Sequence, residues 1–393
     1  MTLDIRILRH PEESSRAFRT FLKAMVGLPP ALLDADPAEF LEPGRYLGAL
    51  VDGVIVGGAD SYTGWLVVPG GRRLPHAAVT HIGVLPTHTR RGIVTALVEQ
   101  QLADLAARGE PVATLRASEA VIYERFGYGV ASTSAEYRIA RRRAVLRDSV
   151  PDSGLVRLVE VADAGKLLPE IYAAASWAGA VARADQWWTS HRPGPGAQLA
   201  VHGTEGAEDG YLVYRPLNTA EWWSSTERTI VVEDFVAHTP EAYAGLLHHL
   251  LRVDLVDTIV LGGRPVDDPL PTLFRDRRAV TVSGHRDETW LRLVDVGTAL
   301  AARTYAGDAA LTIEVTDGVL PANTGRYRLD GTRTDDAADL SVDVAGLAAV
   351  YLGGTRWWQL ARAGRVTEST PGALATADAA FGTAAAPYSG TIF

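Results

Sequence analysis

Cysteine is absent from this chain. Its absence excludes disulfides, thiolate metal sites and a cysteine nucleophile. Long apolar runs are missing too, and none approaches the roughly eighteen residues that cross a bilayer. The opening residues, Met1-Thr2-Leu3-Asp4-Ile5-Arg6, lack the basic segment followed by an apolar one that marks a secretory signal. There is no long basic run, and the formal charge is −9, so nucleic acid is not an expected partner. These absences point to a cytoplasmic protein without a membrane span, with secretion left open. Net acidity favours cationic ligands without saying where they bind.

What is present is apolar material for several cores. Hydrophobic residues fill 47% of 393 positions, which suits two or three domains. The most informative stretch covers residues 77–129. Ala77-Ala78-Val79-Thr80-His81-Ile82-Gly83-Val84-Leu85 reads as a strand, and the short basic turn Pro86-Thr87-His88-Thr89-Arg90-Arg91-Gly92 follows it. Residues 93–107 then place Val94, Leu97, Val98, Leu102 and Leu105 at helical spacing. A second strand over 112–117 leads into Ser118-Glu119-Ala120-Val121-Ile122-Tyr123-Glu124-Arg125-Phe126-Gly127-Tyr128-Gly129, which begins as a short helix. A βαβ unit of this kind sets the turn at the carboxyl end of a strand, where open α/β sheets bind ligands.

The turn has two readings. The first amides of a helix lack intrahelical partners, and the helix dipole adds partial positive charge there. Gly92 lets the backbone come close to a ligand, and Arg90 and Arg91 add full charges, so the turn suits a pyrophosphate. The plainer reading is a solvated surface turn.

Residues 83–92 together with 117–129 resemble the GNAT acetyltransferases and, more narrowly, the Eis (enhanced intracellular survival) family. The chain length and a terminal Phe393 fit that family as well. The resemblance implies an acetyl-CoA-dependent N-acetyltransferase that holds no metal. Arg90, Arg91, Gly92, Ile93, Val94 and Thr95 are expected at the pyrophosphate, Ile82, Gly83 and Val84 along the pantetheine, and Ser118 and Glu119 near that arm. In the family a tyrosine just before the Gly-Phe/Tyr pair faces the thiol, and here it is Tyr123. Two positions depart from the family loop. Thr89 stands where Gln or Arg is usual, and Val94 where Gly or Ala is usual. The expected consequence is one lost side-chain contact to the phosphates, with the backbone amides kept.

The rest of the chain reads as a fold of mixed α/β and α+β character. Residues 11–25 form an amphipathic helix with Pro29-Pro30 beyond its end. Asp52-Gly53 between apolar runs marks a hairpin, and Trp65-Leu66-Val67-Val68 continues the meander. Ser149-Val150-Pro151-Asp152-Ser153-Gly154 reads as a linker. Residues 211–214 and Glu221-Trp222-Trp223 look like strands. Residues 230–261 then repeat the order strand, turn, helix, strand, without the arginines and the glycine. They are read as a degenerate copy of the first unit, with an unrelated α/β domain as the rival. Past 284, strands at 311–315 and 325–329 and helices at 296–302, 344–351 and 373–381 resemble the sterol-carrier-protein fold that ends Eis chains. The expected domains are therefore 1–145, 146–283 and 284–393: tandem GNAT folds, the second degenerate, followed by a sterol-carrier-like domain. Family resemblance implies a homo-oligomer, a hexamer.

Acetyl transfer to an amine needs a neutral nitrogen, a polarised carbonyl and a proton for the leaving thiolate. A phenol, with a reference pKa of about 10, can supply that proton. Tyr123 is thus either the general acid or a core tyrosine. Gly83 inside a strand fits a bulge or simple packing against an aromatic ring. For the base, His81 and Glu119 are nearby candidates, although a lone His in a strand is more often structural and Glu119 can cap the short helix. The resemblance offers the α-carboxylate of Phe393 instead, against the plainer reading of a frayed tail. The implied acceptor is an amine-bearing small molecule such as an aminoglycoside, or a lysine side chain. The alternative to an enzyme is a non-catalytic small-molecule or lipid-binding protein that uses its last domain.

Overall fold

The computed structural model describes residues 2–28, 36–151 and 154–393. The break expected at Pro29-Pro30 and the Asp152-Ser153 part of the expected linker lie outside the described residues. The chain divides into two compact units. One joins Met1–Ser132, Trp177–Ser190 and Glu288–Phe393, and the other joins Thr133–Ser176 and His191–Asp287.

In the first unit the chain runs through β1 (Leu3–Ile7), α1 (Pro11–Ala24), β2 (Leu47–Val51), β3 (Val54–Val67), β4 (Arg73–Val84), α2 (Ile93–Ala107), β5 (Val112–Leu115), α3 (Ala120–Tyr123) and the start of β6 (Tyr128–Ala140). Strands β1 to β4 pair antiparallel in order, β5 lies parallel to β4, and residues 290–293 pair antiparallel with β5. The β2–β3 turn holds Asp52 and Gly53 at φ 49° and 82°, the left-handed pair that a two-residue type I′ hairpin demands. Residues 65–67, expected to continue the meander, are the end of β3 itself, because its ladder with β4 continues to Val67↔Arg73. Helix α2 buries Val98, Leu102 and Leu105 against Ala77 and Val79 of β4 and Ala113 and Leu115 of β5. Each such aliphatic side chain removed from water contributes about 1.5–3 kcal/mol.

The last part of this unit forms a second sheet in which Thr312–Thr316 lies between Gly325–Arg328 and Leu340–Asp343, with Val366–Glu368 on the far side of Leu340–Asp343. Helices Val296–Ala302, Val344–Tyr351, Trp357–Arg362 and Ala373–Phe381 accompany it, and Leu300, Ile313, Leu347, Trp357 and Phe381 share its core. The β6 backbone meets this region closely, since a Cβ on Gly129 would lie 2.0 Å from the Ala345 carbonyl oxygen.

The second unit repeats the strand–helix–strand order. Thr229–Ala237 and Thr258–Pro265 pair in parallel, with helix Pro240–Arg252 between them in sequence. Thr239 caps that helix by accepting the Ala242 N–H at 3.0 Å. Leu212, Ile230, Leu246, Leu250 and Ile259 fill its core. Glu221-Trp222-Trp223 is not a strand. Thr219–Glu221 forms a 3₁₀ turn, and the Glu221 carbonyl accepts the N–H groups of Ser224 and Ser225. Local bonds close that backbone on itself, so its aromatic strand preference finds no ladder to join.

Candidate active site

Strands β4 and β5 pair from His76↔Val112 to Ala78↔Thr114, and among the described residues that ladder goes no further. β5 ends at Leu115 while β4 continues to Val84, so β4 projects past its neighbour. The other edge of β4 carries a bulge. Asp60 pairs with Thr80 and Gly58 with Gly83, which leaves His81 and Ile82 opposite Ala59. His81 adopts φ 50° there. The irregularity expected at Gly83 thus lies just before it, and Gly83 packs against an aromatic ring: a Cβ on it would sit 3.1 Å from Phe21. Val84 is buried and Ile82 half-buried.

The turn after β4 is exposed at Arg90, Arg91 and Gly92. Arg90 and Gly92 both take left-handed backbone, at φ 61° and 79°. Gly92 is the N-cap of α2, and nothing lies within 4 Å of where its Cβ would be. With no side chain at the cap, the amides of Ile93, Val94 and Thr95 meet no cap acceptor at the helix start. The Thr89 hydroxyl donates to the Pro86 carbonyl at 3.1 Å, so this departure from the family loop is turned inward on its own turn. An exposed, positively charged helix start with open backbone fits an anionic pyrophosphate.

The second half of the motif shares a core cluster with β4, where Ile82, Ala117 and Ile122 pack beside Ala77, Val79 and Tyr123. Ser118 and Glu119 are exposed. Glu119 occupies the N-cap of α3 but makes no side-chain cap hydrogen bond. Tyr123 is buried near the end of α3, its ring 6.1 Å from that of Tyr128 and steeply tilted to it. Burial pushes the Tyr123 hydroxyl up to about 12. Behind this turn the fully buried Arg292 forks onto Asp317 at 2.6 and 2.8 Å. A Cβ on Gly127 would come within 2.8 Å of the Arg292 guanidinium.

The C-terminal segment is docked rather than frayed. Ser389 and Thr391 are each 1% exposed. Trp177 stacks on Tyr388 at 5.3 Å and donates its indole N–H to the Tyr388 carbonyl. Glu288 accepts the backbone N–H groups of Ser389 and Gly390 at 2.8 and 3.0 Å. The Arg183 guanidinium donates to the Thr391 hydroxyl and the Gly390 carbonyl, and lies 4.2 Å from the Trp187 ring. Trp187 in turn donates to the Ile392 carbonyl. Arg116, two residues before Ser118, donates to the Thr391 carbonyl and pairs with Glu288. Through Arg116 the end of the chain is tied to the Tyr123 segment. Phe393 itself packs against the core that holds Ile313 and Leu347, whereas Tyr123 belongs to the cluster of Phe126, Tyr128 and Trp290.

Sequence reasoning missed Arg116, Arg183, Trp187 and Glu288, which hold the tail, and Asp60, which partners His81. None lies in a local motif with the residue it serves. The exception is Arg116, whose place next to Ala117-Ser118-Glu119 was the one available signal.

Comparison with known proteins bears on the family and the fold. A family model described as an acetyltransferase (GNAT) domain matches residues 5–131. A second acetyltransferase (GNAT) domain model matches residues 179–293. A sterol carrier protein domain model matches residues 296–390. The chain is 36% identical over 423 residues to an uncharacterized N-acetyltransferase of Streptomyces griseus, covering 100% of both chains. It is 34% identical over 338 residues to the N-acetyltransferase Eis of Mycobacterium tuberculosis, covering 80% of each. Among solved structures it matches Eis1 from Mycobacterium abscessus with a TM-score of 0.93 at 56% identity over 100% of both chains. A GCN5-related N-acetyltransferase from Anabaena variabilis, 20% identical with a TM-score of 0.86 over 100% of both chains, shares the fold.

Proposed function

The chain belongs to the Eis family of GNAT N-acetyltransferases, and on that footing we propose that it moves the acetyl group of acetyl-CoA to the amine of an aminoglycoside-like or lysine-like acceptor. The observation that carries this reading is the exposed left-handed turn at Arg90 and Gly92, set beside the end of β4 that projects past β5. The pyrophosphate is received by Arg90, Arg91, Gly92, Ile93, Val94 and Thr95, with the pantetheine along Ile82, Gly83 and Val84 and the arm near Ser118 and Glu119. Backbone amides bear most of the contact, since Thr89 is engaged by its own turn.

Tyr123 acts as the general acid. Its hydroxyl, held near 12 by burial, keeps its proton at neutral pH and gives it to the departing thiolate. The Phe393 α-carboxylate acts as the general base, a reading supported by the contacts at Trp177, Arg183, Trp187, Arg116 and Glu288 that hold the residues just before it. We assign the working modules to residues 1–145, 146–283 and 284–393 and the assembly to a hexamer, to be checked by limited proteolysis and light scattering.

The test is a screen of acetyl-CoA consumption across aminoglycosides, polyamines, lysine-containing peptides and simple amines. Turnover with one of these classes supports the proposal and identifies the acceptor. A protein whose melting temperature does not respond to acetyl-CoA, and which turns over none of the acceptors, contradicts it.

A further inference from the structure

The bulge in β4 does more than interrupt a ladder. It sets His81 in left-handed backbone. A histidine at φ 50° is held in a backbone conformation that side chains other than glycine rarely adopt. Such outliers persist only where the surroundings over-determine them, and they cluster at functional sites. Here the surroundings are specific. Phe18 meets the imidazole edge-on with ring centres 5.0 Å apart, Phe21 lies at 5.2 Å, and Tyr62 at 6.1 Å and nearly perpendicular. The His81 Nδ1 faces the Asp60 Oδ2 at 3.3 Å, with Asp60 wholly buried and the His81 side chain 13% exposed. One ring nitrogen is therefore oriented by a carboxylate, while the residue stands on the part of β4 that has left β5.

The chemistry of acetyl transfer gives such a pair a task. An acceptor that arrives as an ammonium ion loses two protons from nitrogen. The first must leave before the lone pair can attack the thioester carbonyl. The second leaves as the amide forms and the C–S bond breaks. One proton restores the donor that protonated the sulfur, and the other goes to solvent. A single carboxylate must unload between the two events, whereas two acceptors divide them.

We propose that His81, oriented by Asp60, is a second proton acceptor of the acetyl-transfer site and takes the first proton from the acceptor ammonium. The proposal rests on the acetyltransferase reading above. His81 is then a catalytic residue and Asp60 a positioning residue. The titratable and charged groups around the pair are Tyr62 on β3 and Tyr46 and Arg45 just before β2, while α1 contributes the apolar rings of Phe18 and Phe21. Burial raises the Asp60 carboxyl, and the bond to His81 opposes that rise. The aspartate therefore gains from a protonated imidazole beside it, as an orienting partner should.

The experiment compares wild type, His81→Gln and Asp60→Asn in the full chain. It uses lysine methyl ester and kanamycin as basic acceptors, and methoxyamine as one already neutral at the assay pH. The expected result is a loss of turnover of about 10²-fold or more with the basic acceptors for His81→Gln, an unchanged affinity for acetyl-CoA, and an acid limb of the kcat/KM profile that is displaced in both variants. Methoxyamine, which needs no first deprotonation, should lose much less. Equal losses with all acceptors and an unmoved pH profile would give His81 a structural role only and overturn the proposal. If the variants fail to fold, wild type decides alone. An acid limb that tracks the basicity of each amine, rather than a fixed group on the protein, overturns it. Wild type inert toward every amine overturns the acetyltransferase reading, and this proposal with it, and so separates the two failures.

Discussion

The Glu288 carboxylate accepts the backbone N–H of Ser389 at 2.8 Å, joining residues 101 positions apart. Glu288 is 1% exposed and also receives Gly390 N–H, the Ser132 hydroxyl and Arg116. A buried carboxylate with this many donors is a fixed anchor, and neutralising it weakens its charge-assisted hydrogen bonds, each worth about 1.5–3 kcal/mol. Glu288→Gln should free residues 389–391, seen as faster amide hydrogen exchange confined to the tail. Turnover should fall while acetyl-CoA affinity holds.

Gly129 has a different kind of necessity. With the Ala345 carbonyl oxygen 2.0 Å and the Ala349 nitrogen 2.7 Å from a Cβ placed there, the strand and the helix Val344–Tyr351 touch backbone to backbone. Gly129→Ala must push them apart, and overpacking of this kind costs about 1–3 kcal/mol or more. A lowered midpoint in urea unfolding, with slope unchanged, is the expected result.

His76 makes the fold sensitive to acid. Burial, with a smaller push from Arg45, depresses its imidazole from 6.5 to about 3. The unfolded chain therefore binds a proton that the folded chain refuses between those values. Stability from this group is full above the upper value and falls as pH drops, by about 1.4 kcal/mol per unit within the window. His76→Gln should remove that one-proton slope from unfolding free energies measured between pH 6.5 and 4.5.

At the turn, Gly92→Val places a β-branched residue at φ 79° over an open surface. The strain is local, so the fold should survive. KM for acetyl-CoA should rise about tenfold or more with little change in kcat. An unaltered KM removes the pyrophosphate from this turn.

How much of this was legible beforehand follows from the range of each signal. The Asp52-Gly53 hairpin, the apolar face of α2 and the βαβ order around Gly92 are local patterns, and each is found in the structure. Sequence alone could not show that residues 388–392 are held by Arg183 and Glu288, because the bonds span 101 to 208 positions. It left Gly83 between a bulge and packing against an aromatic ring, and the structure shows the packing, under Phe21, with the bulge at the neighbouring His81 and Ile82. It read Glu221-Trp222-Trp223 as a strand because aromatic preference outweighed the local bonds that closed the turn.

In the proposed reaction Tyr123 delivers a proton to the leaving thiolate. Tyr123→Phe keeps the buried ring and removes only the hydroxyl. The direct measurement is the rate of free thiol release from acetyl-CoA with the best acceptor, beside the acetyl-CoA dissociation constant of the same variant. The expected result is a fall in kcat of about 10²–10⁴-fold with the dissociation constant little changed. Wild type should lose no rate from Tyr123 ionisation until pH nears 12. A Tyr123→Phe protein that folds and releases thiol at the wild-type rate contradicts this role for Tyr123.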